Sequence, residues 1–133
     1  MGVYNVQKVK QLVKKAKLMK MLLLIVEFTS IPLIALGFIY LVSGYQMLSP
    51  ELKIIPEPRR IHTDMFLRIL SISLAYLHAL GGVMIIIERR LRRDILKKIA
   101  EIFAITVLTA LLLASLIIET ITSDIGRQYQ LGA

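Results

Sequence analysis

One histidine and the residues around it carry most of the chemistry this sequence could support. At about 100° per residue on a helix, Ser71, Ala75, His78, Gly82 and Arg89 fall within one narrow sector, with Arg68 and Ala79 beside it. Ile69, Leu80, Met84 and Ile87 fall on the opposite side. One face is therefore small and polar and the other bulky and apolar, Ser73 being the exception. Small residues at four-residue spacing let a neighbouring helix, or a flat cofactor, reach the backbone. A neutral imidazole on such a face has two uses. It can hydrogen-bond to a Ser or Thr of an adjacent helix, or it can offer a ring nitrogen as an axial ligand to haem iron. Gly82, one turn after His78, leaves room for a porphyrin edge. The other histidine is His62. On a continuous helix it would lie about 24 Å away and on nearly the opposite face, so the two cannot ligate one iron within a monomer. A bis-histidine iron would take its second ligand from another subunit or a symmetry mate.

The elements that must position this histidine follow from composition. The chain has 133 residues, 56% of them hydrophobic, with a formal net charge of +8 and a mean hydropathy of +0.71. A soluble domain of this size could not bury so much apolar surface around one core. Three runs account for the excess: residues 21–45, 65–88 and 99–121, each long enough to cross about 30 Å of hydrocarbon. Helix is the expected form, because a lone run in lipid must satisfy its own backbone hydrogen bonds. The fold class expected is an all-α, integral membrane three-helix bundle. His78 lies ten residues before Glu88, which places it about 15 Å inside the end of the second span, near mid-membrane. An ionisable group at that depth is costly and commonly functional. The first apolar run is too long, and too late after a basic segment, for a cleavable signal peptide. Cysteine is absent, so disulfides, thiolate metal sites and iron–sulfur clusters within this chain are excluded.

Charge orients the spans. Lys8, Lys10, Lys14, Lys15, Lys17 and Lys20 precede the first, in residues 1–20. Arg89, Arg90, Arg92, Arg93, Lys97 and Lys98 fill the connection between the second and third, residues 89–98. The other connection, residues 46–64, balances Lys53, Arg59 and Arg60 against Glu51, Glu57 and Asp64, and the tail, residues 122–133, holds Asp124 and Arg127. Short loops rich in Lys and Arg stay in the cytoplasm, so the N-terminus is expected inside and the C-terminus outside. Within residues 1–20, Val6, Val9, Val13 and Ala16 recur at helical spacing, with Lys10, Lys14 and Lys17 on another face. Such a basic amphipathic helix suits anionic headgroups, or it can continue straight into the first span. Pro50, Pro56 and Pro58 predict an ordered surface loop with little helix across residues 46–64.

Other polar residues in the spans are candidates for proton or quinone chemistry. Glu27 lies about two turns into span one, at a depth that could approach His78; its plainer reading is a carboxylate facing the bundle and paired with a Lys or a hydroxyl. Glu88 and Arg89 close span two. Glu101 and Glu119 stand near the ends of span three, where they are expected to reach the interface. Pro32 predicts a kink, and Tyr40, Tyr45 and Tyr76 suit interface or packing roles. No phosphate-binding loop, dinucleotide fingerprint, nucleophile elbow or zinc helix is present. The basic charge is explained by inside-facing loops, so nucleic acid is not an expected partner.

Residues 74–88 (LAYLHALGGVMIIIE), followed by a basic turn and the third span, resemble the cytochrome b membrane-anchor subunits of succinate dehydrogenase and fumarate reductase. The likeness covers residues 65–121, and the chain is similar to that family in length. Those anchors have three spans, start in the cytoplasm, and carry a haem-ligating histidine in span two with glycine four residues later, a pattern that here falls on His78 and Gly82. Glu88 stands one position out of register with the family's acidic residue near the end of that helix. The family's quinone-site serine and arginine near the start of span one have no counterpart in Glu27-Phe28-Thr29-Ser30-Ile31-Pro32. The resemblance implies an anchor and electron-transfer subunit rather than a stand-alone enzyme. His78 would hold haem b at a subunit interface, and electrons would pass between soluble and membrane partner subunits and quinone. From the residues alone a second class stays open: a haem-free accessory or assembly subunit whose span-two face packs against a partner membrane protein.

Overall fold

Hydrocarbon offers the backbone no hydrogen-bond partners, and the chain meets that condition with helices throughout. In the computed structural model, which describes the backbone of residues 2–131 and the side chains of residues 6–122, four helices follow in order. They are α1 (Gly2–Leu48), α2 (Pro58–Thr63), α3 (Met65–Arg90) and α4 (Asp94–Leu131), with no strand among the described residues. Helices α1, α3 and α4 are each long and apolar enough to cross a membrane. The chain is an all-α, multi-pass membrane protein.

α3 is the centre of the arrangement. α1 packs along one of its sides and α4 along another, whereas α1 and α4 scarcely approach each other. Few apolar side chains are buried among the described residues: Leu36, Ile85 and Ile87. Large apolar side chains instead face outwards, among them Phe28, Ile31, Ile34 and Phe38 of α1 and Ile102, Phe103 and Ile118 of α4. This inside-out distribution is what lipid as solvent requires, since packing and polar contacts, not water exclusion, hold helices together there.

Local sequence explains where the helices run and stop. The basic segment continues without a break into the first span, so of its two expected postures α1 takes the straight one, and Pro32 sits inside the helix without ending it. α3 begins at Asp64, whose carboxylate accepts from the Leu67 backbone N–H at 2.9 Å, an N-cap that satisfies one of the orphan donors. Its last turn carries Arg89 and Arg90, where positive charge suits the helix dipole. α4 opens with Asp94 in its first turn, again the favoured sign. It extends beyond the expected end of span three, through most of the segment read as a tail, to Leu131; positions 132 and 133 lie outside the described residues.

The connection read as a loop holds a short helix as well. Pro58 opens α2 at the position where its missing N–H costs nothing, and Glu57 before it takes the left-handed conformation at φ 79°. The Gln46 side chain clamps this connection by donating to the Ile55 carbonyl at 2.6 Å and accepting from the Ile55 N–H at 2.8 Å.

α1 approaches α3 closely at Gly81, next to the glycine singled out from the sequence. A Cβ there would come within 2.8 Å of Val26 Cγ2 and 3.5 Å of the Leu22 carbonyl oxygen, whereas a Cβ at Gly82 would meet nothing within 4 Å. Val26 is short and stiff at χ1, so it cannot swing aside. Gly81→Leu is therefore expected to destabilise the α1–α3 pair by about 1–3 kcal/mol through overpacking, while Gly82→Ala stays within about 0.5 kcal/mol. Thermal unfolding of both variants in the same detergent checks the contrast.

Candidate functional site

α3 presents polar side chains at three levels, and each is met by a neighbouring helix. The middle level is His78. Its Nδ1 lies 3.2 Å from Thr29 Oγ1 and 3.5 Å from Ser30 Oγ, both on α1. Each hydroxyl proton is already committed along its own helix: Thr29 donates to the Ile25 carbonyl at 2.7 Å and Ser30 to the Val26 carbonyl at 2.6 Å. Both hydroxyls keep acceptor lone pairs for the imidazole, an arrangement compatible with the tautomer that carries its proton on Nδ1. In that tautomer Nε2 would be the unprotonated ring nitrogen. Fixing one ring nitrogen by a hydrogen bond so that the other can bind is how ligating histidines are held at metal sites.

These residues fit a haem in part. In the tautomer with its proton on Nδ1, Nε2 would be available as a ligand, and a Cβ at Gly82 would meet nothing within 4 Å. The apolar cavity beside Ala75 and Ala79, about 270 Å³ between α3 and α4, is not lined by His78. Tyr76 borders that cavity and hydrogen-bonds Thr109 of α4 at 3.2 Å, a packing role. A porphyrin on Nε2 would lie at the surface of this chain and be closed over by another subunit.

At the basic end, Glu88 is the centre of an ion-paired cluster. Lys15 of α1 and Lys97 of α4 both reach its carboxylate, Lys97 at 3.1 Å. This cluster links all three long helices at the end where α1 and α4 otherwise do not meet. Arg89, next in sequence, is exposed.

The opposite end carries a second ion pair. Arg68 of α3 reaches Glu119 of α4 at 2.7 Å, and Glu119 is 7% exposed. Glu119, expected at the interface from its place near the end of a span, is turned towards α3 by this ion pair. Nearby, His62 of α2 packs against α1, its Nδ1 3.1 Å from Ser43 Oγ and its ring edge-on to Tyr40 with centroids 5.4 Å apart. His62 thus belongs to a separate short helix and not to an extension of α3.

The other candidates are not gathered around His78. Glu27 is exposed on α1, so the expectation that it faces the bundle is corrected. Glu88 is engaged with two lysines, and Arg89 is exposed at the end of α3. The residues that sequence reasoning missed are Thr29 and Ser30, whose signal was two adjacent hydroxyls within an apolar run, at a depth comparable to the histidine.

No protein-family model matches the chain, and no curated protein or solved structure matches it. The class is the one that the helices define, a multi-pass all-α membrane protein.

The Thr29–His78 contact is expected to couple α1 to α3. In a cycle of Thr29→Val, His78→Ala and the double variant, the interaction energy should be about 1 kcal/mol, the scale of hydrogen bonds between membrane helices. Unfolding in mixed micelles measures it, and additive single effects would show that the contact carries no energy.

Proposed function

We propose that the chain is the membrane-anchor subunit of a respiratory redox complex. In this reading it holds haem b at a subunit interface through His78 Nε2 and passes electrons to or from membrane quinone. The observation that supports it is the hydrogen bond between His78 Nδ1 and Thr29, which positions the imidazole near mid-membrane. When bound, haem supplies a one-electron carrier. Thr29 and Ser30 orient the ring, and Gly82 leaves the adjoining surface open. The second axial ligand, and the groups that bind quinone, come from other subunits. The Arg89, Arg90, Arg92 and Arg93 turn faces the cytoplasm under the positive-inside rule and offers a soluble subunit a basic surface.

One observation favours a second reading. The same hydrogen bond is enough to satisfy His78 without any ligand, as in a haem-free accessory subunit whose α3 surface packs against a partner membrane protein. The two readings part on spectroscopy. The complex purified from a haem-replete host should show a low-spin b-type spectrum that His78→Ala abolishes and His62→Ala leaves unchanged. Iron-free protein with its partner subunits present overturns the haem reading and leaves the packing one.

Orientation has its own test, made simple by the absence of cysteine. A single cysteine placed in residues 89–98 should be shielded from an impermeant thiol reagent in intact cells, and one placed after Asp124 should be labelled. The reverse pattern would put both basic clusters outside.

A further inference from the structure

At the basic end, α1 and α4 diverge around the end of α3 and leave a groove of about 680 Å³. Four lysines from two helices border it: Lys14 and Lys15 of α1, Lys97 and Lys98 of α4. The acidic groups there are Glu88, Asp94 and Glu101. Glu88 is occupied by Lys15 and Lys97, and by binding both it fixes the two sides of the groove in place. Lys14 and Lys98 are exposed and form no ion pair among the described residues, so their charge is available to a ligand. The floor is of a different kind. Towards the membrane interior the groove continues into a narrower cleft of about 50 Å³ along Leu18, Leu22 and Met84, beneath Lys15 and Glu88.

We propose that this groove is a binding site for an anionic phospholipid of the leaflet at the basic end, with its phosphate between Lys14 and Lys98 and an acyl chain entering the cleft along Leu18 and Leu22. Three observations select this occupant. The rim's lysines outnumber its carboxylates, Asp94 and Glu101 included, and suit a negative headgroup. The cleft beside it, lined by Leu18, Met19, Leu22 and Met84 with Lys15, Glu88 and Glu101 at its edge, suits a hydrocarbon tail. Both lie where the chain passes from its basic segments into its first span. A lipid supplies both halves in that order, and basic pockets between membrane helices are known to hold anionic headgroups. A free anion would use only the rim. The proposal does not depend on haem at His78.

The test uses the full chain purified in a neutral detergent and titrated with phosphatidylglycerol or phosphatidylcholine, bound lipid being counted by native mass spectrometry. Phosphatidylglycerol should bind with defined stoichiometry and in preference to phosphatidylcholine. The Lys14→Gln/Lys98→Gln variant should lower its affinity about thirtyfold, at roughly 1 kcal/mol per lysine near a membrane surface. Lys8→Gln/Lys10→Gln removes the same charge from α1 outside the groove and should leave the affinity within about threefold of the parent. Leu18→Trp, which fills the cleft but keeps the lysines, should also weaken binding. The proposal fails if phosphatidylcholine binds as well, if both double variants lose affinity equally, or if inorganic phosphate at matched ionic strength displaces the lipid from the parent protein. Helicity by circular dichroism confirms that each variant is folded.

Discussion

A polar side chain within hydrocarbon has no water to turn to, so the protein must supply its partner. α3 carries polar side chains at three levels, His78 well inside the span and Arg68 and Glu88 near its two ends, and each takes its partner from another long helix. Arg68 takes Glu119 from α4, His78 takes Thr29 from α1, and Glu88 takes Lys15 and Lys97 from both. With so few apolar side chains buried, helix register cannot come from a packed core of the soluble kind. Instead these contacts, with the close approach at Gly81, define which turn of α1 and which turn of α4 face α3. Each contact is modest in energy, since membrane hydrogen bonds are individually worth about 0.6 kcal/mol on average. Their spacing along one helix is what makes them specific.

The same division of labour shapes the candidate site. α1 places two hydroxyls, Thr29 and Ser30, against His78 Nδ1 and so fixes where the imidazole ring sits. α1 and α4 do not close over α3, so the surface near Gly82 stays open. A closed bundle would have buried the histidine on every side and left it only a structural role. An open row of helices leaves room for a second protein, and the apolar residues turned outwards along α1 and α4 make such a partner and lipid the alternative coverings for this surface.

Much of this fold was legible from hydropathy alone, because length and apolar content are the direct requirements for a spanning helix. The three spans and their order followed without knowledge of any contact. What did not follow were the partners. Helical periodicity placed His78, Gly82 and Arg89 in one sector, yet a sector gives no indication of which neighbour lies opposite. The contact glycine proved to be Gly81, one residue away and about 100° around the helix. For Glu119 only the distance from the span's end could be read; its ion pair with Arg68 joins residues on different helices, a separation that no local pattern encodes. Glu27 shows the converse: a carboxylate in an apolar run suggests an internal partner, and the structure leaves it facing outwards. The helical course of the segment read as a tail was hidden for a simpler reason. Residues 1–20 and the segment beyond 121 are polar enough to leave the membrane, but leaving the membrane does not end a helix.

That last point gives α1 a mechanical property. At 1.5 Å per residue, the 47 residues of α1 make a rod about 70 Å long, more than twice the thickness of the hydrocarbon it crosses. The part before Met21 would extend about 28 Å beyond the apolar segment. No proline interrupts it between Lys8 and Thr29. A protein grasping the free end of this rod would hold a lever whose other arm carries the Thr29 hydroxyl, and tilting it would move that hydroxyl against His78. Distance from the membrane surface would then be no barrier to sensing what happens at its centre.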